Sequence, residues 1–289
     1  MPGVSVHPGG TGRAGAAAGV LHRRGRMRSP DAPRATSPQP GTVYLVGAGP
    51  GDPGLLTLRA AEVLAGATAV YHDHLVSDGV LARCGAGARL FDVGKIGHGR
   101  HTCQGSIEQS LVAAARAGDC VVRLKGGDPL VFGRGAEEAL ALADAGVPFE
   151  IVPGVSSAFS VPAAAGIPVT ARGYASSVAV VTGHSTAGPP APLPAADTLV
   201  VLMGVANAGA IRDRLMAGGL PGATPVAVIE RGTCPAQRVA TGVLAELPSI
   251  LARERLGAPA ILVIGEVVRL RERLAPAAAA RARGDQVLR

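Results

Sequence analysis

VVRLKGGDPLVFGRGAEE, Val121 to Glu138, reads as one strand–loop–helix unit. An apolar run, Cys120 to Leu124, is stopped by Gly126-Gly127 and an Asp-Pro turn. A short apolar link and Gly133-Arg134-Gly135 then lead into a helical pattern over Gly135–Ala145. The two adjacent glycines permit positive φ and close approach of backbone to a ligand. Asp128 puts a carboxylate at the carboxyl end of the strand, where open α/β sheets take their ligands.

A second stretch, TVYLVGAGPGDPG (Thr42–Gly54), has the same design of strand, glycine loop and Asp-Pro. Between and beyond the two, strand and helix signals alternate. Strands are expected at Thr42–Val46, Ala67–Tyr71, Arg89–Val93, Cys120–Leu124 and Phe149–Val152. Helices are expected at Leu55–Leu64, Gln104–Arg116, Gly135–Ala145 and Ser156–Ala165. The Pro- and Ala-rich segment 185–197 reads as a linker. Strands at Thr198–Met203, Pro225–Ile229, Arg238–Thr241 and Ala260–Ile264 follow, with helices at Ala206–Met216 and Val243–Arg253. The alternation predicts an α/β fold with mostly parallel sheets covered by helices. The expected layout is a tail over 1–40, a lobe over 41–184, the linker, a second lobe over 198–272, and a frayed end over 273–289.

The first loop resembles a dinucleotide fingerprint, with Asp73 following the next strand where a ribose-binding acid would stand. Its glycines fall at 47, 49 and 51, however, so the pattern is GxGxG, and Asp52 occupies the place of the last fingerprint glycine. A carboxylate there repels a pyrophosphate and suits a cationic ligand such as a sulfonium. On this loop alone a dinucleotide, another ligand and a simple packing turn all stay open. The two loops line one pocket, or they are independent turns.

Composition narrows the class. Of 289 residues, 47% are apolar but only 2% aromatic, with no Trp. A core of Val, Leu, Ile and Ala follows, and stacking on single-stranded nucleic acid is disfavoured. The net charge is +7, and residues 1–40 hold six Arg against one acid, so the rest is nearly balanced. Neither nucleic acid nor membrane is expected as a partner. The Arg-rich tail reads as disordered, as a start upstream of the true one, or as an organelle transit peptide. It is too short to form a further enzymatic module. No apolar run is long enough to span a membrane and no secretory signal is visible. The four cysteines lack zinc or disulfide spacing and read as reduced thiols of a cytoplasmic protein. His72, His74, His98 and His101 are not completed into a metal site by a second motif.

The chain has only two lysines, Lys95 and Lys125, against 26 arginines. A lysine can give up its proton when partly desolvated, which an arginine cannot. Lys95, in a loop, is the candidate for proton chemistry, and Lys125 for holding anionic groups.

These motifs, with YHDHLVS (71–77), VGK (93–95), VPGVSSA (152–158), GIPVTARGYASS (166–177), VTGH (181–184) and IERGTCPAQR (229–238), resemble the tetrapyrrole (corrin/porphyrin) methylase family. Within it they resemble the members that methylate uroporphyrinogen III. The resemblance spans about residues 42–270. It implies a two-lobed α/β fold with S-adenosylmethionine in a cleft between the lobes, and a homodimer. It implies two methyl transfers to carbons of uroporphyrinogen III, giving precorrin-2. Motif matching assigns cofactor contacts to Pro50, Gly126, Gly127, Asp128, Val131, Ser156, Ser157, Met203 and Gly232. It makes Asp73 the proton acceptor and Lys95 the proton donor. Arg100, Arg123 and Arg134 are the candidates for gripping the substrate's carboxylates. The chain departs from the family pattern at His74, where Arg is usual, at Ala171 in place of His, and at Leu202 in place of Tyr.

Overall fold

The computed structural model describes residues 37–94, 103–184 and 193–275. It is an α/β protein with two five-stranded sheets. The first sheet takes β1 (Thr42–Gly47), β2 (Ala69–His72), β3 (Arg89–Asp92), β4 (Cys120–Lys125) and β5 (Phe149–Val152). Its order is β3-β2-β4-β1-β5, and every pairing is parallel. The carboxyl ends of all five strands therefore share one edge.

Helices α1 (Leu58–Ala65), α2 (Asp78–Leu81), α3 (Gln104–Arg116) and α4 (Gly135–Asp144) connect these strands. Burial on both faces explains why β1 and β4 read as continuous apolar runs. One face packs Tyr44, Val46, Val122 and Leu124 against Val63 and Leu64 of α1. The other packs Val43, Leu45 and Val121 against Leu111 of α3 and Leu142 of α4.

The second sheet takes β6 (Val178–Thr182), β7 (Thr198–Leu202), β8 (Pro225–Glu230), β9 (Arg238–Val243) and β10 (Ala260–Ile264). Its order is β6-β7-β10-β8-β9. Here the expectation of mostly parallel sheets fails. Only β6–β7 is parallel, and β10 runs antiparallel to both β7 and β8. The apolar runs that suggested parallel strands are buried because both faces are covered. Helices α6 (Ala208–Ala217) and α7 (Leu247–Glu254) cover one face through Ile211, Leu215, Leu247 and Ile250. The other face receives Ala158 and Val161 of α5 (Ser157–Ala164), the helix that follows β5.

The strand β6 was not expected, and its residues were placed with the first lobe. It pairs with β7 from Val178↔Thr198 to Thr182↔Leu202. The change of sheet thus falls between α5 and β6, upstream of the expected linker, of which residues 185–192 lie outside the described residues. The expected tail is also shorter. Gln39 donates its backbone N–H to the Tyr44 hydroxyl at 2.9 Å, so the chain is already docked before β1. Residues 273–275 of the expected frayed end are helical.

Candidate active site

Two loops meet at the carboxyl edge of the first sheet. Gly49 donates to the Gly127 carbonyl at 3.2 Å, Gly127 donates back to Gly49 at 2.7 Å, and Ala48 donates to Lys125 at 2.7 Å. The loop after β1 and the loop after β4 are therefore one unit. The chain between β5 and α5 joins them. A Cβ on Gly47 would stand 2.5 Å from the Gly154 Cα and 2.6 Å from the Gly127 carbonyl oxygen. Glycine is required here because three backbones cross within contact distance.

The two loop aspartates turn out to be structural acceptors. Asp52 Oδ1 accepts from Gly54 N at 2.7 Å and caps the short turn after the loop. Asp128 Oδ1 accepts from Leu130 N at 2.8 Å, and Oδ2 from Gly154 N at 3.1 Å. Their carboxylates fasten backbone, so the expectation that Asp52 itself attracts a cation is replaced by a simpler one. The N–H groups of Ala48, Gly49 and Gly127 are spent on neighbouring carbonyls, and neither Gly47–Thr57 nor Gly126–Gly133 contains a basic residue. A pyrophosphate needs free N–H groups or cations, and those three N–H groups are not free to bind one. This geometry counts against the dinucleotide reading.

Asp73 follows β2 directly. Its N–H donates to the Leu124 carbonyl at 3.0 Å, which sets it beside β4. Arg123 donates through Nη2 to Asp73 Oδ1, while Gly126 N lies 3.4 Å from Oδ2. The Asp73 side chain is one third exposed and that of Arg123 is buried. Behind Arg123 lies Glu138, fully buried in the first turns of α4. Arg123 Nε donates to Glu138 Oε1 at 2.9 Å, and Nη1 donates to the carbonyls of Tyr71 and Leu124 at 3.3 and 3.2 Å. Lys125 Nζ stands 3.0 Å from Glu138 Oε1 and 2.9 Å from Oε2, where it is an ion pair without a directed hydrogen bond. Gln104 Nε2 adds a contact to Oε1 at 3.2 Å. Burial works against the Arg123 charge, but the carboxylates of Asp73 and Glu138 outweigh it and hold its pKa above the ordinary value. Burial, then the neighbouring Arg123 charge, pulls Lys125 below its ordinary value against the pull of Glu138.

This corrects two sequence expectations. Arg123 is no substrate arm, because its three guanidinium nitrogens are all engaged inside the chain. The anion that Lys125 holds is Glu138. Arg134 is exposed, in left-handed backbone at φ 59°, and grips Glu137 through Nε at 2.9 Å and Nη2 at 2.6 Å. Glu138 was missed altogether. Nothing in the sequence separates it from the adjacent Glu137, which is exposed. Lys95, Arg100, His98 and His101 lie outside the described residues. His72 Nδ1 sits 3.2 Å from the Asp73 carbonyl, and His74 Nδ1 3.1 Å from Asp92 Oδ2, so these two rings serve separate contacts.

The second sheet supplies the facing wall. Since β6, β7 and β8 run the same way, their carboxyl ends share an edge. Met203 stands there after β7, exposed and in left-handed backbone at φ 55°. Arg231 and Thr233, at φ 47° and 67°, flank Gly232 after β8. A Cβ on Gly232 would collide with Val161 of α5 at 2.3 Å, and one on Gly51 with Cys234 Sγ at 2.6 Å. These contacts bring the wall against the first glycine loop. Ser77 Oγ donates to the Gly51 carbonyl at 2.7 Å and ties that loop to the segment after Asp73. Ser156 caps α5, accepting from Ala158 N at 3.3 Å, and Pro50, Val131, Ser156 and Ser157 are all half-buried. Gly126 is exposed, and a Cβ there would meet nothing within 4 Å, so it opens onto free space beside Asp73. Of the departures noted, Ala171 bridges Ala175 in the turn before β6, and Leu202 is buried at the end of β7.

Comparison with known proteins agrees with this architecture. The profile for Tetrapyrrole (Corrin/Porphyrin) Methylases matches residues 42–248. Siroheme synthase of Azotobacter vinelandii is 49% identical over 240 residues, 81% of this chain and 52% of that protein. The chain thus spans about half the length of that relative. Uroporphyrinogen-III C-methyltransferase of Synechocystis is 46% identical over 82% of this chain and 94% of that protein. A crystal structure of uroporphyrin-III C-methyltransferase from Thermus thermophilus, complexed with S-adenosyl homocysteine, superposes with a TM-score of 0.69 at 42% identity, covering 79% of this chain and 99% of that one. With most of its length matched by the family profile, and with relatives of such high identity, the chain belongs to the tetrapyrrole (corrin/porphyrin) methylase family.

Proposed function

We propose that this chain transfers methyl groups from S-adenosylmethionine to two carbons of uroporphyrinogen III, by way of precorrin-1, giving precorrin-2. The observation that carries the reading is the joined pair of glycine loops with the Asp73 carboxylate at their edge. Names of relatives support it: the Synechocystis protein is a uroporphyrinogen-III C-methyltransferase and the Thermus structure holds S-adenosyl homocysteine.

The seat fits that cofactor. Neither glycine loop carries a basic residue to repel a sulfonium, and Gly126 leaves open space at the floor of the seat. Pro50, the Gly126-Gly127-Asp128 turn, Val131, Ser156, Ser157, Met203 and Gly232 are the residues assigned to hold it. When bound, S-adenosylmethionine supplies an electrophilic methyl group. The protein's part is to place the pyrrole carbon and to manage protons. Holding two reactants in register removes most of the entropic barrier. Asp73 accepts the proton that the macrocycle must lose after methylation, from the bridging carbon next to the methylated ring, a task for a carboxylate within reach of that atom. Lys95 is assigned the complementary donation. Arg134 and Arg100 remain assigned to the substrate's carboxylates, with Arg134 exchanging its Glu137 partner for one of them.

The working unit in this reading is a homodimer in the cytoplasm, and size-exclusion chromatography tests the first point. None of the described helices is long and apolar enough to cross a membrane. Anaerobic incubation with uroporphyrinogen III and methyl-labelled S-adenosylmethionine tests the activity. Two labels per tetrapyrrole are expected, and an unlabelled tetrapyrrole would end the proposal. Asp73→Asn and Lys95→Met are expected to slow turnover, and unchanged turnover in both would remove their assignments.

A further inference from the structure

We propose that Arg123 and Glu138 are positioning residues for the reaction: Glu138 anchors Arg123 from behind, and Arg123 holds Oδ1 of Asp73 so that Oδ2 is left as the proton-accepting atom. The inference rests on the assignment of Asp73 as acceptor made above.

Four charged side chains form a chain from core to cleft. Lys125 and Arg123 project from β4 two residues apart, hence to the same face. Glu138 comes from α4 and Asp73 from the end of β2. The order Lys125–Glu138–Arg123–Asp73 alternates in charge and sums to zero. Exposure rises only at the last member, from 3%, 0% and 4% to 33% of the side chain. The charged groups on the elements around Asp73 are Arg123 and Lys125 of β4, Arg89 and Asp92 of β3, Glu137, Glu138 and Asp144 of α4, and its own neighbours His72 and His74.

The geometry accounts for each part. An unpaired arginine in this core would be strongly destabilising, and Glu138 removes that cost. The guanidinium is planar and forked, so Nε can donate to Glu138 while Nη2 donates to Asp73. Two backbone carbonyls fix its remaining nitrogen. Asp73 therefore cannot swing away from β4. Oδ1 takes the charged bond, while Oδ2 accepts only a long one, 3.4 Å from the Gly126 N–H, at the turn that opens onto free space. In the proton step a C–H bond of the meso carbon next to the methylated pyrrole breaks, its electron pair neutralises the cationic ring that methylation left, and the proton goes to Oδ2. Arg123 keeps its own proton throughout, so it holds the carboxylate without competing for the proton.

The experiment uses the full chain with three changes. Arg123→Lys keeps a charge but loses the fork. The double variant R123M/E138Q keeps the charge sum at zero and leaves Lys125 a hydrogen-bond partner. Asp73→Asn is made alone and combined with the double variant. S-Adenosylhomocysteine binding is measured by calorimetry, and kcat and KM for uroporphyrinogen III by labelled methyl transfer. Expected are S-adenosylhomocysteine affinity and KM within about twofold of the parent, with kcat lower by roughly 10²-fold, the scale of a catalytic group misplaced by about 1 Å. On the Asp73→Asn background the double variant should cause no further loss, since residues acting through one another are non-additive. Arg123→Lys decides alone should the double variant fail to bind S-adenosylhomocysteine. Parental kcat in R123M/E138Q, or a full additional loss on the Asp73→Asn background, would overturn the positioning role. Parental kcat in Asp73→Asn would instead remove the acceptor assignment on which it rests, so the two failures are distinguishable.

Discussion

Gly47 lies against Gly154 so closely that a Cβ on either would meet the other's backbone, at 2.5 Å from Gly47 and 2.7 Å from Gly154. The ends of β1 and β5 are locked together there, just below the loops assigned to the cofactor.

Gly47→Ala and Gly126→Ala should accordingly behave as opposites. The first forces backbone apart and should cost about 1–3 kcal/mol of stability, as overpacking does. The second adds a methyl to open space, without positive φ, and should leave stability within about 0.5 kcal/mol. It should weaken S-adenosylhomocysteine binding, because the methyl projects into the assigned seat. Urea unfolding and calorimetry on both variants check this. Equal stability loss in the two would refute the steric argument, and unchanged binding in Gly126→Ala would move the seat elsewhere.

Asp197 anchors the turn before β6. Its Oδ2 accepts from the backbone N–H and hydroxyl of both Ser176 and Ser177, at 2.8 to 3.0 Å. The Ser176 backbone N–H leads the causes that lower its pKa to about 2. Because the folded value lies below the ordinary 3.8, this carboxylate stabilises the fold fully above about pH 4. That contribution is lost as pH falls from about 4 towards 2. The gap in urea midpoint between the parent protein and Asp197→Asn should be constant from pH 8 to 5 and narrow below pH 4. A gap that stays the same down to pH 3 would contradict the linkage.

The thiols should react unequally. Cys103 is exposed at the start of α3, with Sγ 2.9 Å from Ser106 Oγ, and that contact holds its thiol below the ordinary value. Cys120 is buried in β4, and burial pushes it up to about 11. Since the thiolate is the reactive form, iodoacetamide at neutral pH should modify Cys103 first and leave Cys120 intact until unfolding. Peptide mapping reads the order, and early alkylation of Cys120 would contradict the burial.

Much of this was legible in the sequence, and the gaps have physical reasons. Strands such as Phe149–Val152 and Ala260–Ile264 and the helix Gln104–Arg116 were read to the residue because apolar spacing and glycine stops coincide there. Strand direction in the second sheet was not legible. Residues of β7, β8 and β10 are buried on two faces, and an apolar run records burial rather than orientation. The strand β6 escaped because VAVVT is only half-buried and leads straight into Gly183. In the site, glycines and Asp73 were identifiable from their places after strands. The role of Arg123 was not, because its partners lie 50 residues earlier and 15 residues later. A buried cation and a substrate-binding one look alike until the fold brings up, or withholds, a counter-charge.

The strand order β3-β2-β4-β1-β5 also has a consequence for synthesis. The first strand to emerge, β1, sits between β4 and β5, and its register with β4 pairs Thr42 with Cys120. At roughly 5–20 residues per second, its apolar edge waits about 4–16 s on the ribosome for its first neighbour. During that interval Val43, Leu45 and Val46 have no sheet to join, and the nascent chain depends on chaperones or on the slowness of misassociation. Destabilising β4 would then lower yield during translation more than it lowers the stability of the finished enzyme.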